Sequence, residues 1–288
     1  MLWLKQCSPK RTAIEAAPVR NHPSTYSREP PVTEQSELDP IDEHGAEWSN
    51  PALSEWWQRE FTNGVDPEYT EQILPLILDE LRGLDVILDV GTGEGQVARA
   101  LAEAGARVIG IDPFPAQTDE AERRGGGPRY ARAEAAAIPL ADSSVDAVVA
   151  CLVFEHIDDV DEAIAEVSRV LRPGGRFVFL LNHPLLQTPG SGWIDDQILD
   201  PPEQYWRIGP YLIEQATVEQ VQRDVWVRFV HRPLSRYLNT LVANGLTLAR
   251  MYEPAPPPGF LAQAPDFVDA ATVPRLLALR LQKTGGLV

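Results

Sequence analysis

The sequence predicts a doubly wound α/β fold, a mainly parallel sheet with helices on both faces, and three observations carry that expectation. From Val86 onward, apolar runs of strand length alternate with amphipathic stretches of helical period. The first run collapses into the turn Gly91-Thr92-Gly93-Glu94-Gly95, and the second ends on an acid, Asp112. Strands that alternate with helices are joined by short right-handed crossovers, which make a parallel sheet covered on both sides.

Taken in order, residues 1–45 carry Pro, Ser, Glu and Asp with little periodicity and read as a disordered or loosely attached leader. Residues 46–83 read as a helical lid segment. Trp56, Trp57 and Phe61 fall in helical register between Trp48 and Gly64, and a second helical stretch runs from Tyr69 to Arg82, with Pro75 delaying or kinking it. The main domain spans 84–288. Its first strand, Val86 to Val90, leads through the glycine turn into a helix from about Glu94 to Ala104, closed by Gly105. Val108 to Ile111 is a second strand and Ser144 to His156 contains a later one. From Asp158 the positions Val160, Ala163, Ile164, Val167, Val170 and Leu171 follow helical spacing, with aspartates as caps and Pro173-Gly174 as the stop.

Another strand, Arg176 to Leu181, precedes a break in the alternation at 182–232, an inserted cap containing Gly190, Gly192, Pro201 and Pro202. Alternating stretches within Tyr211 to Val230 predict a hairpin. Pro233 then opens a helix with Leu234, Tyr237, Leu238, Leu241 and Val242 on one face, and Asn244-Gly245 closes it. Leu246 to Tyr252 and Arg275 to Lys283 complete the strands.

Glycines 91, 93 and 95 allow positive φ and close approach of backbone to a ligand, and the helix that follows offers unpaired N–H groups. A dinucleotide turn needs G-x-G-x-x-G, yet Gln96 stands at its third glycine and no Walker lysine follows. Asp112, about twenty residues on, is spaced to accept hydrogen bonds from the two vicinal hydroxyls of a ribose; an isolated Asp-Pro is equally a helix cap or turn.

Through these motifs the chain resembles the class I S-adenosylmethionine-dependent methyltransferases, in particular the small-molecule branch with quinone-biosynthesis and natural-product enzymes. The likeness extends to Ala133-Glu-Ala-Ala-Ala-Ile-Pro-Leu-Ala-Asp142, to Ser144 through His156, and to Leu171-Arg-Pro-Gly-Gly175, covering roughly Leu84 to Leu181. The resemblance implies a Rossmann-like sheet of about seven strands with the last antiparallel, and S-adenosyl-L-methionine as cofactor. It puts Asp89, Gly91, Thr92, Gly93, Gly95 and Gln96 around the methionine part, Asp112 and Pro113 at the ribose, Glu134 and Ala135 at the adenine, and Cys151 near the methionyl group. Thr92 departs from the cysteine or serine common in the turn, and Glu134 is one methylene longer than the usual acid.

Composition narrows the partners. A formal charge of −17 opposes binding to a polyanionic backbone, so a nucleic acid substrate is not expected. Two cysteines, Cys7 and Cys151, make no disulfide framework, and no His or Cys spacing fits a metal. With no run long enough to span a bilayer and no signal peptide, a cytoplasmic protein without membrane attachment is expected. Oligomeric state is not encoded legibly.

All seven tryptophans fall outside the predicted core strands, which points to an aromatic cover over the strand ends. Trp56, Trp57, Trp193, Asp195 and Trp206 are its candidate substrate or lid residues. For the methyl acceptor, a small moderately apolar metabolite with an O, N or C nucleophile, His183 after the fifth strand and His156 after the fourth are the candidate catalytic groups. Two other classes compete: a nicotinamide-dependent oxidoreductase on a related sheet, and a non-catalytic relative that keeps the cofactor fold.

Overall fold

In the computed structural model the described residues are 48, 50–62, 65–263 and 270–285. The leader at 1–45, with Trp3 and Cys7, lies outside them. Helix α1 (Pro51–Phe61) starts at Asn50, whose side chain accepts the Ala52 N–H. A wide π-type turn, Tyr69–Ile73, runs into α2 (Leu74–Glu80), with Pro75 in its first turn where no N–H is needed.

The core strands are β1 (Val86–Val90), β2 (Arg107–Asp112), β3 (Arg129–Arg132), β4 (Val145–Cys151), β5 (Leu171–Asn182), β10 (Leu246–Tyr252) and β11 (Leu276–Lys283). They form a seven-stranded sheet in the order β10-β11-β5-β4-β1-β2-β3. All neighbours from β5 to β3 are parallel, and β11 runs antiparallel between β5 and β10. Helices α3 (Gln96–Glu103), α4 (Pro115–Arg124), α5 (Val160–Val170) and α6 (Leu234–Ala243) cover it.

Both faces of the central strands are buried, and period two sorts their side chains. Along β4, Val148 and Ala150 join a core with Phe154, Ile164, Phe177, Phe179 and Leu241, whereas Ala147 and Val149 join Leu53, Ile73, Ile77, Val97 and Leu101 on the other side. Near-continuous apolar runs are what a doubly covered parallel strand requires. The chain builds β1 to β3 outward, then returns to lay β4 on the other flank of β1. This reversal opens a crevice above the carboxyl ends of β1 and β4.

Several boundaries differ from the sequence reading. The first core helix starts at Gln96, because Gly95 sits at φ 85° and cannot be its first turn. Pro173-Gly174 does not stop α5; it lies in an irregular start of β5, where the register on β4 jumps from Val145↔Leu171 to Ala147↔Arg176. No side-chain bond caps α5: Asp159 makes none, and Asp158 instead pairs with Arg228 at 2.7 Å. Val242 is not on the buried face of α6 but 65% exposed.

The insertion holds two antiparallel ribbons. β8 (Gln215–Gln222) and β9 (Val225–His231) are the expected hairpin, while β6 (Gly192–Asp196) and β7 (Glu203–Arg207) form an unexpected one. Short α7 (Pro258–Ala262) precedes β11. Among the described residues no helix is long and apolar enough to cross a membrane.

Phe179 is fully buried against Phe154, Phe177 and Tyr237, with ring centroids 4.8, 5.2 and 5.6 Å away. Phe179→Ala is expected to lower unfolding free energy by about 3–5 kcal/mol in a urea titration. Val242→Ala should change it by no more than about 0.5 kcal/mol.

Candidate cofactor and acceptor site

The crevice is built from the turn after β1. Gly91 (φ 67°), Gly93 (φ 55°) and Gly95 (φ 85°) all take left-handed conformations, but for different reasons. A Cβ on Gly91 would collide with the Val153 methyls, and one on Gly95 with the Tyr130 hydroxyl; at Gly93 it would meet nothing nearer than Gln117 Oε1 at 4.0 Å. Gly93 therefore leaves its face open to the cavity, and Gly95 is a packing glycine.

Two strands are locked across this turn. Thr92 N–H donates to the Ile111 carbonyl at 2.9 Å, and its hydroxyl donates to Asp89 Oδ2 at 2.7 Å. Asp112 accepts Gly93 N–H at 3.1 Å on Oδ2 and Phe114 N–H at 3.0 Å on Oδ1. Its carboxylate thus faces the glycine turn, with lone pairs left for further donors.

Above the turn lies a cavity of about 500 Å³, within the range of small-molecule sites. Asp89, Gly91, Thr92, Gly93, Gln96, Asp112, Pro113, Glu134, Ala135 and Cys151 all line it. Gly95 does not; the Tyr130 ring fills its outer side. Glu94, Phe114 and Gln117 also line the cavity and were not singled out in the sequence. The spacing of Phe114 and Gln117 after Asp112, on the first turn of α4, was the available signal.

The electrostatics are one-sided. Asp89, Glu94, Asp112, Glu134, Asp158 and Asp159 line this cavity, and no lysine or arginine is among its described residues. Burial pushes the Asp89 carboxyl up to about 7, offset in part by the Thr92 hydroxyl bond, and the Asp112 carboxyl up to about 6, offset by its two backbone donors. Glu94 is buried and paired through Oε2 with Arg99 at 2.6 Å and Arg124 at 2.8 Å, yet its Oε1 has no hydrogen-bond partner. Glu94 and Asp158 are paired with arginines, whereas Asp89 and Asp112 have no cationic partner among the described residues, an arrangement that suits a cationic ligand carrying hydroxyl or N–H donors.

Next to it is an aromatic chamber lined by Trp48, Trp56, Trp57, Phe61, Tyr69, Phe229 and Phe260, with Asp66, Glu68, Asn182 and Arg275. Trp48, Trp57, Tyr69, Leu152 and His156 border both spaces. Trp57 stacks on Phe61 at 4.4 Å and meets Trp48 edge-on at 5.5 Å. Leu152, at φ 57°, is a strained residue between the two.

The two candidate histidines separate here. His156 Nδ1 is 2.8 Å from the Arg228 carbonyl, so Nδ1 carries the proton and Nε2 the lone pair. Its ring packs on Trp48 at 5.2 Å and Phe229 at 4.9 Å, and loss of water there pulls its pKa down to about 4. His183 lines neither space. It is buried, with Nε2 on Glu253 Oε1 at 2.8 Å and Nδ1 accepting Leu185 N–H at 3.2 Å. Its Nε2 ties the end of β5 to the loop after β10, and its Nδ1 holds the turn that follows β5.

The lid expectation divides in the same way. Trp57 and Trp56 reach the chamber, but Trp193 and Trp206 pair with each other across the β6–β7 ribbon at 5.6 Å, and Asp195 follows on that ribbon bonded to Gln197 at 2.5 Å. These three contribute to neither space, because the ribbon closes on itself. The cover comes instead from the β8–β9 ribbon through Phe229, and from Phe260 and Arg275, which only the tertiary structure brings near Trp57.

Comparison with known proteins places this geometry. Residues 88–179 match a family model described as a methyltransferase domain. An uncharacterized methyltransferase of Mycobacteroides abscessus is 46% identical over 100 residues, covering 33% of this chain and 38% of that protein. A demethylmenaquinone methyltransferase of Thermobifida fusca is 33% identical over 153 residues, 48% of this chain and 64% of the relative. The matches thus span less than two thirds of these curated relatives. A crystal structure of an S-adenosylmethionine dependent methyltransferase from Mesorhizobium loti superposes with a TM-score of 0.63 at 27% identity, covering 75% of this chain and 98% of that one.

The raised Asp89 carboxyl sets a sign for stability. Its folded pKa of about 7 exceeds the ordinary carboxyl value of 3.8, so the native state holds the proton more tightly and stability falls as pH rises between the two. Asp89→Asn removes that penalty: in urea titrations its stability relative to the parent should grow from pH 4 to pH 7, by about 1.4 kcal/mol per pH unit at most, and stay level above.

Proposed function

We propose that this chain, whose core is a methyltransferase domain of the S-adenosylmethionine-dependent class, transfers a methyl group to an O, N or C nucleophile of a small, moderately apolar metabolite. The observation that carries the reading is the acidic cavity over the glycine turn, which lacks cationic side chains among its described residues. A pyrophosphate would meet carboxylates and no lysine or arginine side chain there, so the nicotinamide alternative has no favourable charge partner. A sulfonium with an amino acid tail and a ribose meets acceptors for both.

In this reading Asp112 accepts the ribose hydroxyls, Glu134 and the Ala135 backbone face the adenine at the rim, and Asp89, Thr92, Gly93 and Gln96 surround the methionyl part. Glu94 Oε1, buried and without a partner, is available to the ammonium. Cys151 stays a neutral thiol: burial pushes its pKa up, and its sulfur lies 3.9 Å from the Tyr69 hydroxyl. When bound, S-adenosylmethionine supplies an activated methyl for in-line displacement. The chain's part is alignment and exclusion of water.

In this reading the acceptor sits in the larger cavity at the border lined by Trp57, Tyr69 and His156, since the aromatic chamber behind it, at about 40 Å³, is too small to hold it. His156, neutral and fixed by the Arg228 carbonyl, orients an acceptor through its Nε2 lone pair; a pKa of about 4 makes it a weak base. His183 serves as a structural tie. A cytoplasmic location accords with the free, buried Cys151.

Asp112→Asn should weaken S-adenosylhomocysteine binding about 10–100-fold in calorimetry. In the parent, affinity should fall as pH drops from about 7 to about 5, because protonation at a pKa of about 6 removes a ribose acceptor. The variant should lose most of that pH dependence. Unchanged affinity in Asp112→Asn would contradict the assignment.

A further inference from the structure

The segment between β4 and α5, residues 152–159, borders the larger cavity through Leu152, Val153, His156, Ile157, Asp158 and Asp159, and a buried charge grips it from behind. Arg232 is 2% exposed, and its guanidinium donates to the Phe154 carbonyl at 3.2 Å, the Ile157 carbonyl at 2.8 Å and the Asp158 carbonyl at 2.9 Å. Its Nε lies 2.9 Å from Glu214 Oε1. The carbonyls it holds stand before and after His156 in the chain, so the clamp brackets that residue. Arg232 is itself fixed from both sides: β9 ends on His231, and Pro233 leads into α6.

Cohesion alone does not account for this guanidinium. Apolar packing in place of a buried ion is often as stable or more so, because desolvation of the charge offsets its attractions. What an arginine adds is geometry, five donors in a rigid plane that an ammonium on a flexible stem cannot match. The same strand carries the group that sets the imidazole. Arg228 holds His156 Nδ1 through its carbonyl at 2.8 Å and Asp158 through its guanidinium at 2.7 Å, whereas His156 Nε2 bonds to no described residue. A neutral imidazole carries its proton on the nitrogen that has found an acceptor. The tautomer therefore depends on the distance between β9 and the loop, which Arg232 fixes at three carbonyls.

We propose that Arg232 is a positioning residue of the acceptor site: by holding the loop on β9 it keeps the Arg228 carbonyl on His156 Nδ1 and leaves Nε2 to the cavity as a hydrogen-bond acceptor. Its use rests on the methyltransferase reading, since that lone pair is what would meet an O–H or N–H of the substrate. Its test does not. With the clamp loosened, Nδ1 exchanges the carbonyl for water and the proton is shared between the two ring nitrogens. The edge offered to the acceptor is then donor and acceptor by turns.

Imidazole nitrogen NMR spectra of the full chain, labelled in histidine and recorded at neutral pH without ligand, test this, with the His156 signals assigned through His156→Gln. The parent is expected to show His156 wholly in the Nδ1–H form. Arg232→Lys should lose that single form and give a mixture. Arg228→Gln removes the neighbouring guanidinium but keeps the carbonyl and the Arg232 bonds, and should retain the Nδ1–H form. A parent in the Nε2–H form would overturn the proposal, as would loss of the Nδ1–H form in Arg228→Gln. So would an Arg232→Lys protein that is less stable in urea yet keeps the Nδ1–H form, because Arg232 would then be a structural tie and nothing more. If Arg232→Lys does not fold, the parent's own guanidinium decides: its Nη protons should be held in slow exchange, and a freely rotating group would overturn the clamp. Failure of S-adenosylhomocysteine to bind the parent in calorimetry would instead remove the reading beneath it and leave the tautomer result standing.

Discussion

Asp112 accepts one backbone N–H from the glycine turn of β1 and one from the turn after its own strand, and this pair of bonds fixes the separation of two neighbouring strand ends. The remainder of the site depends on that spacing. Were the carboxylate to turn away, Gly93 N–H would lose its acceptor and the face kept open at Gly93 would no longer lie over an acid. The Thr92 bonds to Ile111 and Asp89 reinforce the same junction from the other side. Local backbone chemistry, more than any long-range contact, makes the side of the crevice over the glycine turn.

That side carries a cost in stability. Carboxylates at 89 and 112 are buried without a cationic partner among the described residues, and desolvation pushes both upward toward neutral pH. The doubly covered sheet, with Phe154, Phe177 and Phe179 fully buried beneath the strand ends, supplies the cohesion that tolerates them. A binding site held in an unfavourable charge state is relieved by the ligand that completes it.

How much of this could be read from the chain follows from how local each feature is. The turn at 91–95, the acid at 112 and the helical period from Val160 to Val170 are determined within one supersecondary unit, so the sheet and the lining of the cavity over the turn were legible. Pro173-Gly174 misled because a Pro-Gly pair signals an end, whereas here it sits in a register jump inside β5. The aromatic chamber was not legible. Its walls come from Trp48, Phe61, Asp66, Phe229, Phe260 and Arg275, over two hundred positions apart at the extremes, and only packing assembles them. His183 and His156 both follow strands, and only the structure reveals that one is tied to Glu253 while the other borders the cavity. Trp193 and Trp206 have the composition of a lid, but pair across a ribbon of their own.

The central claim is that the carboxylate ending β2 holds the nucleoside of a sulfonium cofactor over the turn at Gly93. A crystal structure of the protein with S-adenosylhomocysteine tests it directly. The account predicts both ribose hydroxyls within hydrogen-bonding distance of Asp112, with the amino acid tail toward Asp89 and Glu94. A nucleoside bound elsewhere, or one seated in the cavity with its ribose turned away from Asp112, would contradict it.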